Sequence, residues 1–395
     1  MVRGWEARRG ILLLLPWILL ACARDRATPL SGAEEHLAQA TDALQSGDTV
    51  GYRDHLRAAV PLLPEGALDR PFHMYRLARA EALTGNPAEA SRWLGVAWDE
   101  QIEGMMIAYA LIDPAFDRVR EESEVAAVLA RMDSLTIDVD TIGPGVYRLD
   151  AAGPKLIVVA GQGGSILIDA GYAPAAPAIR RAVAAVGAPP VRFVINTHAH
   201  EDHVGGNAAF GSDAVIYAHP EAREAMRQVQ PFADGVTVPA RAGDALPGQT
   251  ITQDTTMLLA GVTVRVIPLP AHTGGDLLVY LPASRILGMG DGFFPRTGRG
   301  LLFPGSEPEA FVARMQSVLD RLPDDTRVVS GHDPVVPVRE LRDQFARTVS
   351  LVRQIRTAVD SGVAADSTVA ALRQQGFREN WIRYLYRVMG GGNGS

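Results

Sequence analysis

The chain has 395 residues, of which 47% are hydrophobic and 21% charged, and this composition predicts a globular protein with room for two or three domains. Its formal net charge is -7, and an acidic body of this kind argues against a nucleic-acid partner.

The first segment has the pattern of a secretory leader. A basic start precedes an apolar run from Ile11 to Leu20, which is too short to span a bilayer. The letters LLAC at 19–22 resemble a bacterial lipobox, and Cys22 is the only cysteine. We therefore predict a signal peptide over 1–21 and a lipid anchor on Cys22, which places the protein in the bacterial cell envelope, on the outer membrane facing the periplasm. The alternative is a chance cysteine, which would leave a reactive thiol in an oxidising compartment.

A polar linker over 22–32 leads into residues 33–135, which have the pattern of helices. Ala and Leu recur at intervals of three and four, with breaks at Gly47, Pro64 and Gly85. Two helical hairpins align with glycines at matching turns, so the region resembles a degenerate tetratricopeptide repeat that offers a surface to a protein partner. A plain helical domain is the alternative. Packing or surface roles are expected for its histidines: His36, His55 and His73.

From Gly143 onward, short β-branched runs alternate with Ala-rich segments, which predicts an α/β domain over 140–340. Several predicted strands end directly at a His or an Asp, so chemistry should gather at one edge of the sheets. Two helices are predicted within 341–390, and 391–395 should be a disordered tail. Trp381, Tyr384 and Tyr386 are expected to pack the last helix.

The stretch HAHEDH, from His198 to His203, places three histidines and two acids in six residues directly after an apolar strand. His198 and His200 can point to the same side, while Asp202 and His203 follow on a loop or a first helical turn. Imidazoles and a carboxylate that converge in this way suit zinc or a similar metal. The stretch therefore predicts a metal site.

HAHEDH matches the His-x-His-x-Asp-His signature of the metallo-β-lactamase superfamily, and the further motifs of that family follow in order. LIDAG places Asp169 after a strand, and PAHTGGD, GMGDGFF and VVSGHDP supply His272, Asp291 and His332. The resemblance spans about 140–340. It implies an α/β fold, a four-layer αββα sandwich, here preceded by an all-α helical-repeat region.

The resemblance also implies two divalent metal ions, with zinc as the first choice and manganese or iron as alternatives. The expected ligands are His198, His200 and His272 for one ion and Asp202, His203 and His332 for the other, with Asp291 as the bridge. Asp169 would brace the metal loop through hydrogen bonds. A hydroxide that bridges the ions would attack an ester, lactone, thioester or amide carbonyl, and Asp202 would serve catalysis as a proton shuttle.

Departures from known patterns separate the branches of the family. Class B1 β-lactamases have a cysteine where Asp291 stands, and class B3 enzymes share the five histidines and Asp202 but normally lack the bridging aspartate. Asp291 therefore favours the glyoxalase II, lactonase and general hydrolase branch. Against glyoxalase II itself, GHDPVVP replaces the usual GHEYT, and export fits poorly with a cytosolic thiol substrate. Diiron flavoproteins have a glutamate where His200 stands, and persulfide dioxygenases remain a redox alternative.

The leading hypothesis is an exported hydrolase of a small molecule, with a class B3-like β-lactamase as the runner-up. The second alternative is an envelope binding module, in which the helices recruit a protein partner and the metal site is vestigial. A self-sufficient hydrolase should keep its turnover after deletion of residues 31–135. Phe293, Phe294 and Pro295 either wall the substrate pocket or fill the core, and His219 should have a surface or structural role.

Overall fold

The computed structural model describes residues 32–67, 69–100, 105–231, 237–296 and 307–390. The predicted signal peptide, the lipid-bearing Cys22, the linker up to residue 31 and the C-terminal tail lie outside these ranges. Within them, no helix combines the length and the apolar character that are needed to cross a bilayer.

The N-terminal part of the described chain, up to residue 134, is built from helices, as predicted. They are α1 (Gly32–Gln45), α2 (Thr49–Ala59), α3 (Arg70–Leu83), α4 (Pro87–Asp99), α5 (Met105–Ile112) and α6 (Ser123–Leu129). Helix α1 packs against α2, and α3 packs against α4, with turns at Gly47 and Gly85 between the members of each pair. The tetratricopeptide character of these pairs stays a prediction.

Two mixed β-sheets follow. The first has the strand order β1-β2-β3-β4-β5-β6-β9, in which β1 to β4 pair antiparallel and β4, β5, β6 and β9 run parallel to one another. Its strands are β1 (Asp138–Gly143), β2 (Val146–Asp150), β3 (Lys155–Gly161), β4 (Gly164–Ile168), β5 (Val191–Ile195), β6 (Val215–Ala218) and β9 (Gln249–Thr250). A separate two-stranded ribbon is formed by β7 (Gln230–Pro231) and β8 (Thr237–Val238).

The second sheet has the strands in chain order, and only β13 and β14 within it run parallel. Its strands are β10 (Thr255–Leu259), β11 (Val262–Pro268), β12 (Leu277–Leu281), β13 (Ile286–Gly290), β14 (Arg327–Ser330) and β15 (Val336–Pro337).

Further helices accompany the sheets. They are α7 (Ala176–Ala185), α8 (Glu201–Val204), α9 (Asn207–Gly211), α10 (Pro220–Met226), α11 (Pro308–Leu319), α12 (Val338–Asp360), α13 (Ala365–Arg373) and α14 (Glu379–Met389). The prediction of two helices after the α/β domain is wrong, because the chain turns at Gly376, which has a φ of +83°, and so separates α13 from α14. Trp381, Tyr384 and Tyr386 pack α14 against the adjacent core, as expected.

The two sheets face each other, and helices cover their outer faces, so the four-layer αββα fold is confirmed. Strand β3 illustrates the arrangement, because successive side chains of a strand point to opposite faces. Leu156 and Val158 pack with helices, whereas Ile157 and Val159 pack between the sheets against residues such as Val279. Helices α11 to α14 cover the second sheet in the same way.

The N-terminal helices share one hydrophobic core with the first sheet. Ile107 and Phe116 belong to the same buried cluster as Leu149 and Val158 of the sheet. Deletion of residues 31–135 would therefore remove part of the hydrophobic core that also contains side chains of that sheet. The truncation suggested by the sequence removes part of the core of the α/β domain, and so it does not test that domain alone.

We expect the helices and the sheets to unfold together. Ile107→Ala should lower the free energy of unfolding of the protein by about 2 to 5 kcal/mol, because it opens a cavity at a fully buried position. Urea titrations followed by circular dichroism and by tryptophan fluorescence would measure this. The control is Val50→Ala, at a position that is 51% exposed and should matter little. Two separate transitions in the parent protein would contradict the shared core.

Candidate metal centre

The candidate site lies where several strands end at one edge of both sheets. Asp169 follows β4 and His198 lies just beyond β5, which is parallel to it. In the second sheet, Asp291 and His332 follow the parallel strands β13 and β14. Parallel strands place their carboxyl ends at the same edge, so these side chains come together although they are far apart in sequence.

Backbone hydrogen bonds join the two sheets at this edge. Lys155 N donates to Gly331 O at 2.7 Å, and Leu277 N donates to Thr197 O at 2.8 Å. The loops that carry the two halves of the site are therefore joined directly by backbone hydrogen bonds at the strand ends.

All seven residues for which metal binding is predicted come together here. Their candidate ligand atoms form two groups, and within each group the atoms lie within 4.8 Å of one another. The groups are His198, His200, His272 and Asp291 in the first cluster, and Asp202, His203 and His332 in the second cluster. The structure thus places the residues as the motifs require, and their roles as ligands stay a prediction.

Asp291 lies between the two clusters. Its Oδ1 is 3.2 Å from His203 Nε2 and 3.3 Å from His332 Nε2, and its Oδ2 is 3.6 Å from His272 Nε2. A Cβ atom at position 331 would come within 2.1 Å of Asp291 Oδ1, so only a glycine allows this approach. The carboxylate faces both clusters, as a bridging ligand would.

The chemistry of the donor set fits divalent cations. His272 Nε2 lies 3.1 Å from His200 Nδ1, and His203 Nε2 lies 3.4 Å from His332 Nε2, so ring nitrogens converge on common points. Among the described residues, the buried His198 Nε2 has no hydrogen-bond partner. Buried polar atoms are normally satisfied, and convergent imidazole nitrogens beside carboxylates are the donors that zinc-like ions take.

Two histidines of the first cluster, His198 and His200, have lowered pKa values. Burial lowers the pKa of His198 well below its ordinary value, and neighbouring histidines lower it further. Burial also lowers the pKa of His200, against the opposing charges of Asp202 and Asp291. A neutral imidazole is the form that binds a metal ion.

The second cluster has the opposite electrostatics. Burial would lower the pKa of His332, but the carboxylates of Asp291 and Asp202 outweigh it and raise the pKa to about 10. The same carboxylates, with Asp169, raise the pKa of His203 well above its ordinary value despite burial. The second cluster therefore attracts positive charge, which protons supply in the absence of a cation.

Asp169 braces the metal loop, as the resemblance implies. Its Oδ1 accepts the backbone N–H of Thr197 at 2.7 Å, and its Oδ2 accepts the Thr197 hydroxyl at 2.7 Å. The same Oδ2 lies 2.8 Å from His203 Nδ1, which leaves Nε2 of that ring directed at the second cluster. A carboxylate behind a histidine fixes both the orientation and the tautomer of the ring.

Asp276 is a supporting residue that sequence reasoning missed. It is buried, and its carboxylate accepts the backbone N–H groups of Ala271, His272 and Thr273, so it shapes the loop that carries a first-cluster histidine. Burial raises its pKa to about 6, against these hydrogen bonds. The available signal was an acid four residues after His272 in PAHTGGD.

Phe293 and Phe294 have different roles although they are adjacent. Phe293 is fully buried in the core beside the second sheet. Phe294 stacks on His332 with ring centroids 6.4 Å apart and lies edge-on to His272 at 6.0 Å. Of these two aromatic residues, Phe294 is therefore the one that lies beside the site.

His219 has a structural role, as expected. It is the N-cap of α10, where its Nδ1 accepts the N–H of Glu221 at 3.3 Å.

Comparison with known proteins agrees with this geometry. Residues 154–332 match the family model described as the metallo-beta-lactamase superfamily. The hydroxyacylglutathione hydrolase of Thermosynechococcus vestitus is 32% identical over 196 residues, which are 48% of this chain and 67% of that protein. The chain belongs to the metallo-β-lactamase superfamily. The superfamily match begins after the N-terminal helices and ends before α12.

Other similarities concern part of the chain. The hydroxyacylglutathione hydrolase of Nitrosococcus oceani is 32% identical over 143 residues, which are 35% of this chain and 48% of that protein. The chain thus spans about half the length of the first curated relatives that it matches. The solved metallo-beta-lactamase from Pontibacter korlensis has 20% sequence identity and a TM-score of 0.45, and it covers 54% of this chain and 99% of that chain.

We expect metal binding at the two clusters of this superfamily site to differ in pH dependence. The second-cluster histidines hold protons at neutral pH, and these must leave before metal binds, so affinity should rise by up to about tenfold per pH unit for each proton. His198 and His200 are already neutral, so the first cluster should vary little between pH 7 and pH 8. Chelator competition at several pH values measures this, and His332→Ala should reduce the pH-dependent component. Equal pH dependence of both binding steps would contradict the assignment.

Proposed function

We propose that this chain is a dinuclear metal-dependent hydrolase that attacks the carbonyl group of a small ester, lactone, thioester or amide. The observation that carries the proposal is the position of Asp291 between two groups of convergent donors. Zinc is the metal that the donor set favours first, and manganese or iron are alternatives.

Two divalent ions, when bound, would lower the pKa of a bound water towards neutrality, so that a hydroxide nucleophile is available. They would also stabilise the negative charge that develops on the carbonyl oxygen. Asp291 offsets positive charge from both sides and sets the spacing of the clusters. Phe294 excludes water from the face of the site beside His272 and His332.

Asp202 is the proposed proton shuttle. Burial would raise its pKa, but His203 and His332 outweigh burial and lower the pKa well below its ordinary value. Its Oδ2 lies 3.0 Å from His332 Nε2. The group therefore stays a carboxylate at neutral pH, ready to accept a proton at Oδ2 and return it to the leaving group.

The similarity to hydroxyacylglutathione hydrolases supports acyl transfer to water, and a thioester is the substrate class that their name suggests. A class B3-like β-lactamase is the second candidate, because the five histidines and Asp202 are all present at the site. An intact donor set counts against the third idea, a binding module with a vestigial metal site.

The proposed location is the cell envelope, with a lipid anchor on Cys22 and the hydrolase facing the periplasm. This proposal is based on the leader and the lipobox-like LLAC. Metabolic labelling with a fatty acid in a bacterial host, with Cys22→Ser as the control, would test the anchor.

The decisive experiment combines metal analysis with a substrate panel. The purified chain should retain about two divalent ions and hydrolyse at least one member of a panel of β-lactams, acyl lactones and thioesters. A protein that binds no zinc, manganese or iron, and that stays inert after reconstitution, would refute the proposal. Strong turnover of cephalosporins or carbapenems would place the β-lactamase candidate first.

Asp291→Asn should separate a bridging role from a merely structural one. The change keeps the shape of the side chain but removes the charge that offsets two dications, so we expect weaker binding of at least one ion. Turnover should fall by about 100-fold or more, since even indirect contacts to metal ligands are often worth 10- to 100-fold. Metal stoichiometry and kcat are measured on the same sample. Asp254→Asn, at an exposed acid that directly precedes β10 and pairs with Arg314 of α11, is the matched control. Two fully occupied metal sites with unchanged turnover in the Asp291 variant would contradict the bridging role and indicate that this residue only caps the loop.

A further inference from the structure

Helix α5 connects the N-terminal helices to the metal site. Residues 106–110 are all buried, and a helix that is apolar on every side has to be covered on every side. It contacts α3, α4 and α6 within the helical region. It also contacts the 3-10 turn Ala173–Ala175, which follows Asp169 by only a few residues.

Tyr109 of α5 meets Tyr172 in this contact. Their ring centroids are 5.4 Å apart with planes at 75°, an edge-to-face arrangement that aromatic pairs favour. Tyr109 is 5% exposed and Tyr172 is 1% exposed, and among the described residues the buried Tyr172 hydroxyl has no hydrogen-bond partner. The superfamily match starts at residue 154, so Tyr109 is contributed from outside the matched part of the chain.

The segment that carries Tyr172 is bonded directly to the metal-binding turn α8. Ala170 N donates to His203 O at 2.7 Å, and Gly206 N donates to Gly171 O at 2.8 Å. A Cβ atom on Gly206 would come within 2.2 Å of Ala170 O, so no space separates the two backbones. A displacement of Tyr172 is therefore transmitted to the turn that provides the second cluster.

Charge also links the two tyrosines to this turn. Burial, followed by the carboxylate of Asp202, raises the pKa of Tyr109 well above its ordinary value. Burial, Tyr109 and then Asp202 raise the pKa of Tyr172 in the same direction. Both groups thus keep their O–H protons. A hydroxyl dipole in a buried, weakly polar setting stabilises a nearby carboxylate more than it would in water.

We propose that Tyr109 and Tyr172 are positioning residues that hold the Asp202 and His203 turn in its metal-binding geometry from the side of the helical region. The N-terminal helices are then part of the scaffold of the metal centre, and they contribute to the affinity for the ion at the second cluster. This inference rests on the proposed metal-dependent function.

Tyr109→Phe and Tyr172→Phe test the proposal, because each keeps the ring and removes only the hydroxyl. We expect either variant to bind the second ion about 10- to 100-fold more weakly in chelator competition, the range typical of residues that support metal ligands. The absorption spectrum of bound cobalt(II) should change as well, since it reports the geometry of the ligands. The unfolding temperature of the metal-free variant should stay within a few degrees of the parent protein.

Tyr75→Phe is the matched control. Tyr75 is also a buried tyrosine of the helical region, but its hydroxyl donates to Asp113 Oδ2 at 2.6 Å. This change should lower the unfolding temperature and leave the metal affinity and the cobalt spectrum as in the parent protein.

The outcomes separate this inference from the proposed function, because the metal measurements need no substrate. Parent protein that loads two ions and hydrolyses a substrate, together with Tyr109 and Tyr172 variants that bind both ions equally tightly, would overturn the positioning role and leave the hydrolase intact. Weakened metal binding in the variants of a protein that hydrolyses nothing in the panel would support the positioning role and refute the hydrolase. A parent protein that binds no metal would overturn both.

Discussion

The hydrogen bonds of Asp169 are the contacts on which the geometry of the metal centre depends. One carboxylate binds both the backbone and the hydroxyl of Thr197 and also orients His203 of the second cluster. The Thr197 hydroxyl in turn lies 3.0 Å from His198 Nδ1, in the first cluster. Candidate ligands of both clusters are therefore oriented from a single acid that belongs to neither cluster. Asp169 has a φ of +62°, a backbone conformation that aspartate tolerates better than most residues.

Around that acid, the fold brings several ionisable groups out of water. Burial penalises charge, so each carboxylate at the site needs positive charge nearby. In the metal-free protein the raised pKa values of His203 and His332 let these rings supply it by holding protons, while burial keeps His198 and His200 neutral. The ring nitrogens of His203 and His332, and those of His200 and His272, lie as close together as donors that bind one cation.

The N-terminal helices are integrated into this arrangement. They share a hydrophobic core with the first sheet, and α5 is buried between that region and the turn after Asp169. Hydrophobic packing thus connects a segment outside the superfamily match with the part of the chain that carries the candidate metal ligands.

Much of the site could be predicted because its pattern is local. HAHEDH is contiguous, and His272, Asp291 and His332 each follow a recognisable apolar strand, so strand ends and residue types together predicted the donor set. The α/β domain and the helices before it were predicted from the spacing of apolar residues, which is also a local property. The number of C-terminal helices was wrong because the turn at Gly376 interrupts a pattern that otherwise looks continuous.

Tertiary structure decided what depends on contacts between distant segments. Which of two adjacent phenylalanines walls the site depends on how the chain leaves β13, and the carboxylate of Asp276 matters only because the loop folds back over it. Tyr109 is an ordinary residue of an apolar helix until α5 packs beside Tyr172. By itself, the sequence determined the chemistry of the donors and the order of the elements, since residue type and periodicity are carried by the chain. The supporting contacts were decided only by folding, because packing and burial act between residues that are far apart in sequence.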